Sequence, residues 1–348
     1  MLRSMNIPKT MRAAVVRAFG QPLALTECSV PEPGPGDVLV RILASGVCHT
    51  DLHATNGDWP VKPGLPFIPG HEGVGTVAKL GAGVRDLMIG DLVGIAWLHD
   101  ACGQCAYCVT GWETLCESQH NSGYSTNGCF ADYAIGNAAY VARLPEDCDV
   151  TSMAPVLCAG VTTYKGLKET EARPGEWVAI SGIGGLGHMA VQYAQAMGLR
   201  VVALDVGKDK LELARALGAE AAIDAGRPDA VAEVIEQTQG GAHAALVTAV
   251  SPVAFKQALE LVRRKGTVSL VGLPPGNFEM PIFDVVLKRI TVRGSIVGTR
   301  EDLAEAVRFA ARGKVKAFVQ TAALDDINRV FHDLKAGRVS GRVVLKTA

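Results

Sequence analysis

Two groups of cysteine and histidine residues in this 348-residue chain have the types and spacing for metal chemistry. Cys102, Cys105, Cys108 and Cys116 place four thiols within fifteen residues, at gaps of two, two and seven. Such short gaps let neighbouring sulfurs reach one ion. Four thiolates in a tetrahedron make a closed structural zinc site with no position for substrate. Iron–sulfur clusters share the first three positions but have a shorter last gap and a proline after the fourth cysteine; here Glu117 follows. The second group is dispersed, with Cys48, then His71-Glu72, then Cys158. Two cysteines and one histidine around zinc leave the fourth position open for water or substrate. Spacing alone does not separate that arrangement from ordinary core residues.

A third motif binds phosphate. Gly182-Ile183-Gly184-Gly185-Leu186-Gly187 carries G-x-G-x-x-G between a buried apolar run and a helical stretch, the context the motif needs. The first glycine permits the tight turn, the second lets backbone approach a pyrophosphate, and the third packs helix on strand. The helix N-terminus offers free N–H groups and a positive dipole end. Asp205 stands 18 residues beyond Gly187, at the end of the next apolar run. A carboxylate there binds ribose hydroxyls and repels a 2′-phosphate, which favours NAD over NADP. Lys208 and Lys210 just beyond it leave some NADP use open.

The elements that position these residues change in character near Thr163. The first 150 residues read as short strands, such as Ala13–Val16 and Val38–Leu43, punctuated by Pro and Gly: an irregular, mostly β region. Beyond it, apolar runs at Trp177–Ser181, Val201–Leu204, Ala221–Ile223, Ala245–Val247, Val268–Val271 and Ile290–Arg293 alternate with helical stretches. The helices are expected at Leu186–Met197, Lys208–Leu217, Asp229–Gln237 and Val253–Arg264. That alternation predicts βαβ units in an α/β fold with a doubly wound parallel sheet of Rossmann type. Glu301–Arg312 reads as a further helix, and Arg342–Leu345 as a strand returning to the first region.

Composition removes several alternatives. There are 34 basic and 35 acidic residues, and no basic stripe surrounds Cys102–Cys116, so binding nucleic acid through a zinc finger is disfavoured. No stretch is apolar enough to span a membrane. The first ten residues lack the apolar segment of a secretory signal. Nine clustered cysteines suit metal chemistry in a reducing compartment, so the expected location is cytoplasmic.

The run Gly70-His71-Glu72-x2-Gly75-x5-Gly81-x2-Val84, closing with Gly90-Asp91-x-Val93, resembles the zinc signature of medium-chain dehydrogenases. With Asn56-Gly57-Asp58-Trp59-Pro60, the four-cysteine lobe and Ile180–Gly187, the chain from Met11 onward resembles NAD-dependent zinc alcohol dehydrogenases of the yeast and bacterial type. The resemblance implies a mainly β, GroES-like catalytic domain over residues 1–160 with a structural zinc lobe at 97–117, a Rossmann domain over 161–296, and a return to the first domain over 297–348. It implies two zinc ions per chain. Cys48, His71 and Cys158 would hold the catalytic one, Glu72 would lie beside it, and Asp51 would orient His71. Thr50 would take the substrate proton and His53 would deliver it outward. His49, Thr162, Gly182, Gly184, Gly185, Leu186, Gly187, Asp205, Lys210 and Arg342 would contact NAD. Trp59 and Trp97 would narrow the pocket to short primary or secondary alcohols. A homotetramer is expected, with a small alcohol or aldehyde substrate and neither nucleic acid nor membrane as partner. The competing expectations are an NADP-dependent reductase of bulkier or aromatic aldehydes and a non-catalytic binding relative.

Overall fold

In the computed structural model, which describes residues 6–347, the apolar runs of the second half lie side by side as one six-stranded parallel sheet. The start of the expected first domain and the reading of Met1–Met5 lie outside the described residues. Across the sheet the strands are Ala221–Asp224, Arg200–Asp205, Trp177–Ser181, Ala242–Val247, Val262–Leu270 and Thr291–Gly294. The strand order reverses beside Trp177–Ser181, the switch point at which doubly wound sheets take a dinucleotide. Helices Gly187–Ala196, Lys208–Ala216, Ala230–Gln237 and Pro252–Leu261 connect the strands. Val178, Ile180, Val202, Leu204 and Leu246 are fully buried, as expected for a parallel sheet covered on both faces.

One expected helix is shorter than its pattern suggested. The stretch read as Val253–Arg264 stops at Leu261, and Val262 opens a strand. The reason is the use of Arg263. Its guanidinium donates to the carbonyls of Gly241 and Thr238, both at 2.8 Å, and so ties a strand edge instead of facing water from a helix. Helices His49–Asn56, Ala159–Lys168, Ile282–Lys288 and Ile327–Lys335 add to those expected.

A seven-stranded sheet is built on Asp37–Val47, with Val319–Ala323 and Arg342–Lys346 joining strands of the first half. One edge of this strand pairs antiparallel with Gly73–Leu80. Its other edge pairs first with Tyr133–Asn137 and then, through Ala44–Val47, with Arg342–Lys346. Val38, Val40 and Ile42 pack into one apolar cluster and Leu39 into another on the opposite face. Alternation therefore buries the strand on both sides. The chain divides into two compact units: Met1–Cys158 with Thr299–Val307 and Ala317–Ala348, and Ala159–Gly298 with Arg308–Lys316. No helix among the described residues is long and apolar enough to cross a membrane.

Candidate functional site

Cys48 follows strand Asp37–Val47 directly and forms the N-cap of helix His49–Asn56. Asp51, in the first turn of that helix, is 1% exposed and organises the surroundings. Its Oδ2 accepts the Cys48 N–H at 2.9 Å, and its Oδ1 accepts the Gly70 N–H at 3.1 Å. The same Oδ1 lies 2.9 Å from His71 Nδ1. A carboxylate can only accept, so Nδ1 of His71 carries a proton and Nε2 faces the other way. That Nε2 is 3.3 Å from Cys158 Sγ.

Cys158 ends the turn Ala154–Leu157, whose Leu157 side chain packs directly onto Gly94 of strand Leu92–Ile95. Glu72 packs just as closely on Gly46; a side chain at position 46 would overlap its carboxylate. The donor atoms of Cys48, His71, Glu72 and Cys158 are buried and all within 4.8 Å of one another. Bonds of about 2.0–2.3 Å to a tetrahedral zinc set its donors about 3.3–3.8 Å apart, so this donor set fits zinc. Behind it, the Arg342 guanidinium donates to Glu72 Oε1, both side chains buried.

The electrostatics follow from these contacts. A hydrogen bond from Cys158 holds the Cys48 thiol well below its ordinary range, although burial opposes this. The same bond, with burial, pushes Cys158 up. Burial disfavours charge on His71, but the Asp51 carboxylate raises it well above the usual imidazole range. Burial also raises Glu72, against the pull of Arg342.

The other cysteines form a separate lobe. The sulfurs of Cys102, Cys105, Cys108 and Cys116 also lie within 4.8 Å of one another, from a loop, the short helix Ala106–Val109 and the end of the turn Glu113–Leu115. Hydrogen bonds from the backbone N–H groups of Gln104 and Cys105 bring the Cys102 thiol down to about 6. All nine cysteines are free of disulfides.

Thr50 and His53 lie on helix His49–Asn56, both partly exposed, while His49 is exposed. Trp97 stands edge-on to His71, ring centroids 5.3 Å apart, and 6.3 Å from Trp59. Tyr124 completes a three-ring cluster, 5.5 Å from Trp59 and 5.6 Å from Trp97. Nothing in the sequence marks Tyr124, a single aromatic in a polar loop. His99 is buried in strand Leu98–Asp100, and its Nδ1 has no hydrogen-bond partner among the described residues.

In the second unit, Gly182 has φ +93°, and a side chain at Gly187 would overlap the Gly182 carbonyl, as turn and close packing require. A Cβ at Gly184 would meet nothing within 4 Å, which leaves that backbone open to a ligand. Asp205 is 8% exposed; its carboxylate accepts the N–H of Ile183 at 2.6 Å and of Gly207 at 3.0 Å, and Lys210 Nζ lies 3.5 Å away. Gly185 and Leu186 complete the turn into helix Gly187–Ala196. The Thr162 hydroxyl is buried without a partner among the described residues. An open glycine backbone, a carboxylate at the next strand end and an unused hydroxyl fit a dinucleotide.

Comparison with known proteins agrees with this geometry. The family described as "Alcohol dehydrogenase GroES-like domain" matches residues 34–146, and "Zinc-binding dehydrogenase" matches residues 185–312. An alcohol dehydrogenase of Rhizobium meliloti (strain 1021) is 62% identical over 336 residues, 97% of this chain and 98% of that protein. One from Moraxella sp. (strain TAE123) is 58% identical over 335 residues, 96% of this chain and 99% of that protein. The crystal structure of the alcohol dehydrogenase from Aeropyrum pernix superposes with a TM-score of 0.89 at 37% identity, covering 97% of this chain and 100% of that one.

Proposed function

We propose, because this chain belongs to the zinc-dependent medium-chain alcohol dehydrogenases, that it interconverts short primary or secondary alcohols and their carbonyl products with NAD as hydride acceptor. The observation that carries the catalytic assignment is the convergence of Cys48, His71 and Cys158, with Asp51 fixing the ring of His71. Zinc held there supplies Lewis acidity that makes an alcohol hydroxyl ionise near neutral pH, and NAD supplies an acceptor for hydride.

The remaining steps belong to the chain. Thr50 accepts the proton of the substrate hydroxyl, and His53, whose side chain is 35% exposed, passes it toward solvent. Glu72 and Arg342 balance charge behind the three ligands. The Arg342 Nε, buried and without a partner among the described residues, keeps a donor for an anionic cofactor group. Trp59 and Trp97 limit the size of the substrate. Asp205 holds the ribose hydroxyls, Gly182–Gly187 the pyrophosphate, and Thr162, His49 and Lys210 contribute polar contacts. Cys102, Cys105, Cys108 and Cys116 hold a structural zinc that orders their segment.

We assign catalysis to the first unit and dinucleotide binding to the second. The exposed side chains of Ile282, Phe283, Val286 and Leu287, just before edge strand Thr291–Gly294, support association of copies, and a homotetramer is our reading of the assembly. Nine free cysteines suit a reducing compartment, and we place the enzyme in the cytoplasm.

Metal analysis combined with ethanol oxidation tests the two-site reading. The purified enzyme is expected to hold two zinc ions per chain, and Cys48→Ser one, with no turnover. A single zinc in the parent enzyme, or an active Cys48→Ser, would sink it.

A further inference from the structure

Within Asn56-Gly57-Asp58-Trp59-Pro60, Asp58 has so far no role, yet it stands against a residue of the proposed proton path. Its Oδ2 lies 2.9 Å from His53 Nδ1, and its own N–H donates to the His53 carbonyl at 3.1 Å. The turn is thus closed by backbone and side chain together. Asn56 Nδ2 approaches the same carboxylate oxygen at 3.4 Å. The next residue, Trp59, stacks on the imidazole, ring centroids 5.9 Å apart and planes 26° apart. One dipeptide therefore meets the edge of the His53 ring with a carboxylate and its face with an indole.

We infer that Asp58 is a positioning residue that holds His53 in the Nδ1–H tautomer and so makes Nε2 the atom that accepts the substrate-derived proton. The carboxylate has no proton to donate, so the hydrogen bond exists only when Nδ1 carries one. A neutral imidazole with its proton on Nδ1 has its lone pair on Nε2. Nε2 takes up the proton that Thr50 passes on from the alcohol hydroxyl, giving an imidazolium beside Asp58. That cation loses a proton to water and returns to the starting tautomer, while the two electrons of the C–H bond leave with the hydride to NAD. The carboxylate fixes the ring's neutral tautomer. The stacked indole of Trp59 sets the ring plane, so the wall of the substrate slot and the proton acceptor are held by adjacent residues. This inference rests on the reading of His53 as a relay residue.

The test uses full-length, zinc-loaded enzyme labelled with ¹⁵N-histidine, in which long-range ¹H–¹⁵N spectra report which ring nitrogen carries the proton and His53→Gln assigns the signal. The parent enzyme is expected to show His53 protonated on Nδ1, and Asp58→Ala is expected to move the proton to Nε2. Asp58→Ala should lower kcat about 5- to 10-fold at neutral pH with KM for ethanol within twofold. Asp58→Glu should restore most of the rate, and Asp58→Ala should cost nothing further in a His53→Gln background. A parent His53 protonated on Nε2, a tautomer indifferent to Asp58→Ala, or additive losses in the double variant overturn the role of Asp58. A His53→Gln enzyme with parental kcat overturns the relay, and with it the function of Nε2.

Discussion

Arg342 and Glu72 form a buried ion pair, guanidinium on carboxylate, directly behind the Cys48, His71 and Cys158 donors. They are 4% and 0% exposed, so neither charge has water to fall back on. Removing one partner strands the other. Arg342→Met is expected to destabilise the enzyme by about 3–5 kcal/mol, and adding Glu72→Gln should recover part of that loss. Urea denaturation of the two variants checks this; an Arg342→Met as stable as the parent contradicts it.

Glu113 gives a pH-dependent version of the same argument. Its carboxylate is buried, which pushes it up, but it accepts the Arg300 backbone N–H at 3.1 Å and Nε at 3.0 Å, and these bonds hold it below the usual carboxylate range. The folded value lies below the unfolded one of about 4.3. The stabilisation is therefore present above about pH 4.3 and drains away as pH falls through the folded value. Glu113→Gln should cost about 1 kcal/mol at pH 7, with the gap to the parent closing under acid. Thermal unfolding across pH shows it; a gap that widens under acid would reverse the sign.

The two metal sites should separate by mutation. Cys116 is the buried member of the four-cysteine lobe. Cys116→Ser is expected to lower zinc content from two ions to one while the ion at Cys48 remains, with a large drop in melting temperature. Loss of both ions from this variant would show that the sites are not independent.

Asp205 should set cofactor preference at a structural cost. Asp205→Ser removes the charge that repels a 2′-phosphate and leaves Lys210 nearby. The ratio of kcat/KM for NADP over NAD should rise at least tenfold, about 1.4 kcal/mol. The N–H groups of Ile183 and Gly207 lose charged acceptors, so stability should fall as well. An unchanged ratio removes Asp205 from the ribose site.

Trp97→Ala opens a space shared by His71, Trp59 and Tyr124. The kcat/KM for branched or longer alcohols should rise relative to ethanol by about tenfold, the scale of one or two methylene groups in an apolar pocket. Equal ratios in parent and variant take Trp97 out of the pocket.

The parallel sheet was legible because its strands are short apolar runs alternating with helical stretches, a pattern that needs no knowledge of the rest of the chain. The four-cysteine lobe and the Gly182–Gly187 turn were legible for the same local reason. Of Val262–Leu270 only the apolar end was legible, within Val268–Val271; its start carries Arg263 and Arg264, whose guanidinium groups donate to the carbonyls of Gly241, Thr238 and Leu287. The donors Cys48, His71 and Cys158 come from a helix cap, a loop and the end of a turn, 23 and 87 residues apart, so no local pattern links them. Their grouping rested on family resemblance until the chain was seen folded. The place of Tyr124 and the pairing of Arg342 with Glu72 are products of tertiary contact alone.

Strand Arg342–Lys346 pairs with Ala44–Val47, and its Arg342 faces Glu72. On the ribosome this has a cost in time. At roughly 5–20 residues per second, the partner of Val47 is made about 15–60 s after Val47 itself. Until then Ala44–Val47 has no Arg342–Lys346 to pair with, and Glu72 has no counter-ion. A chain stalled between Cys158 and Arg342 thus has Cys48, His71 and Cys158 but not the charge balance behind them.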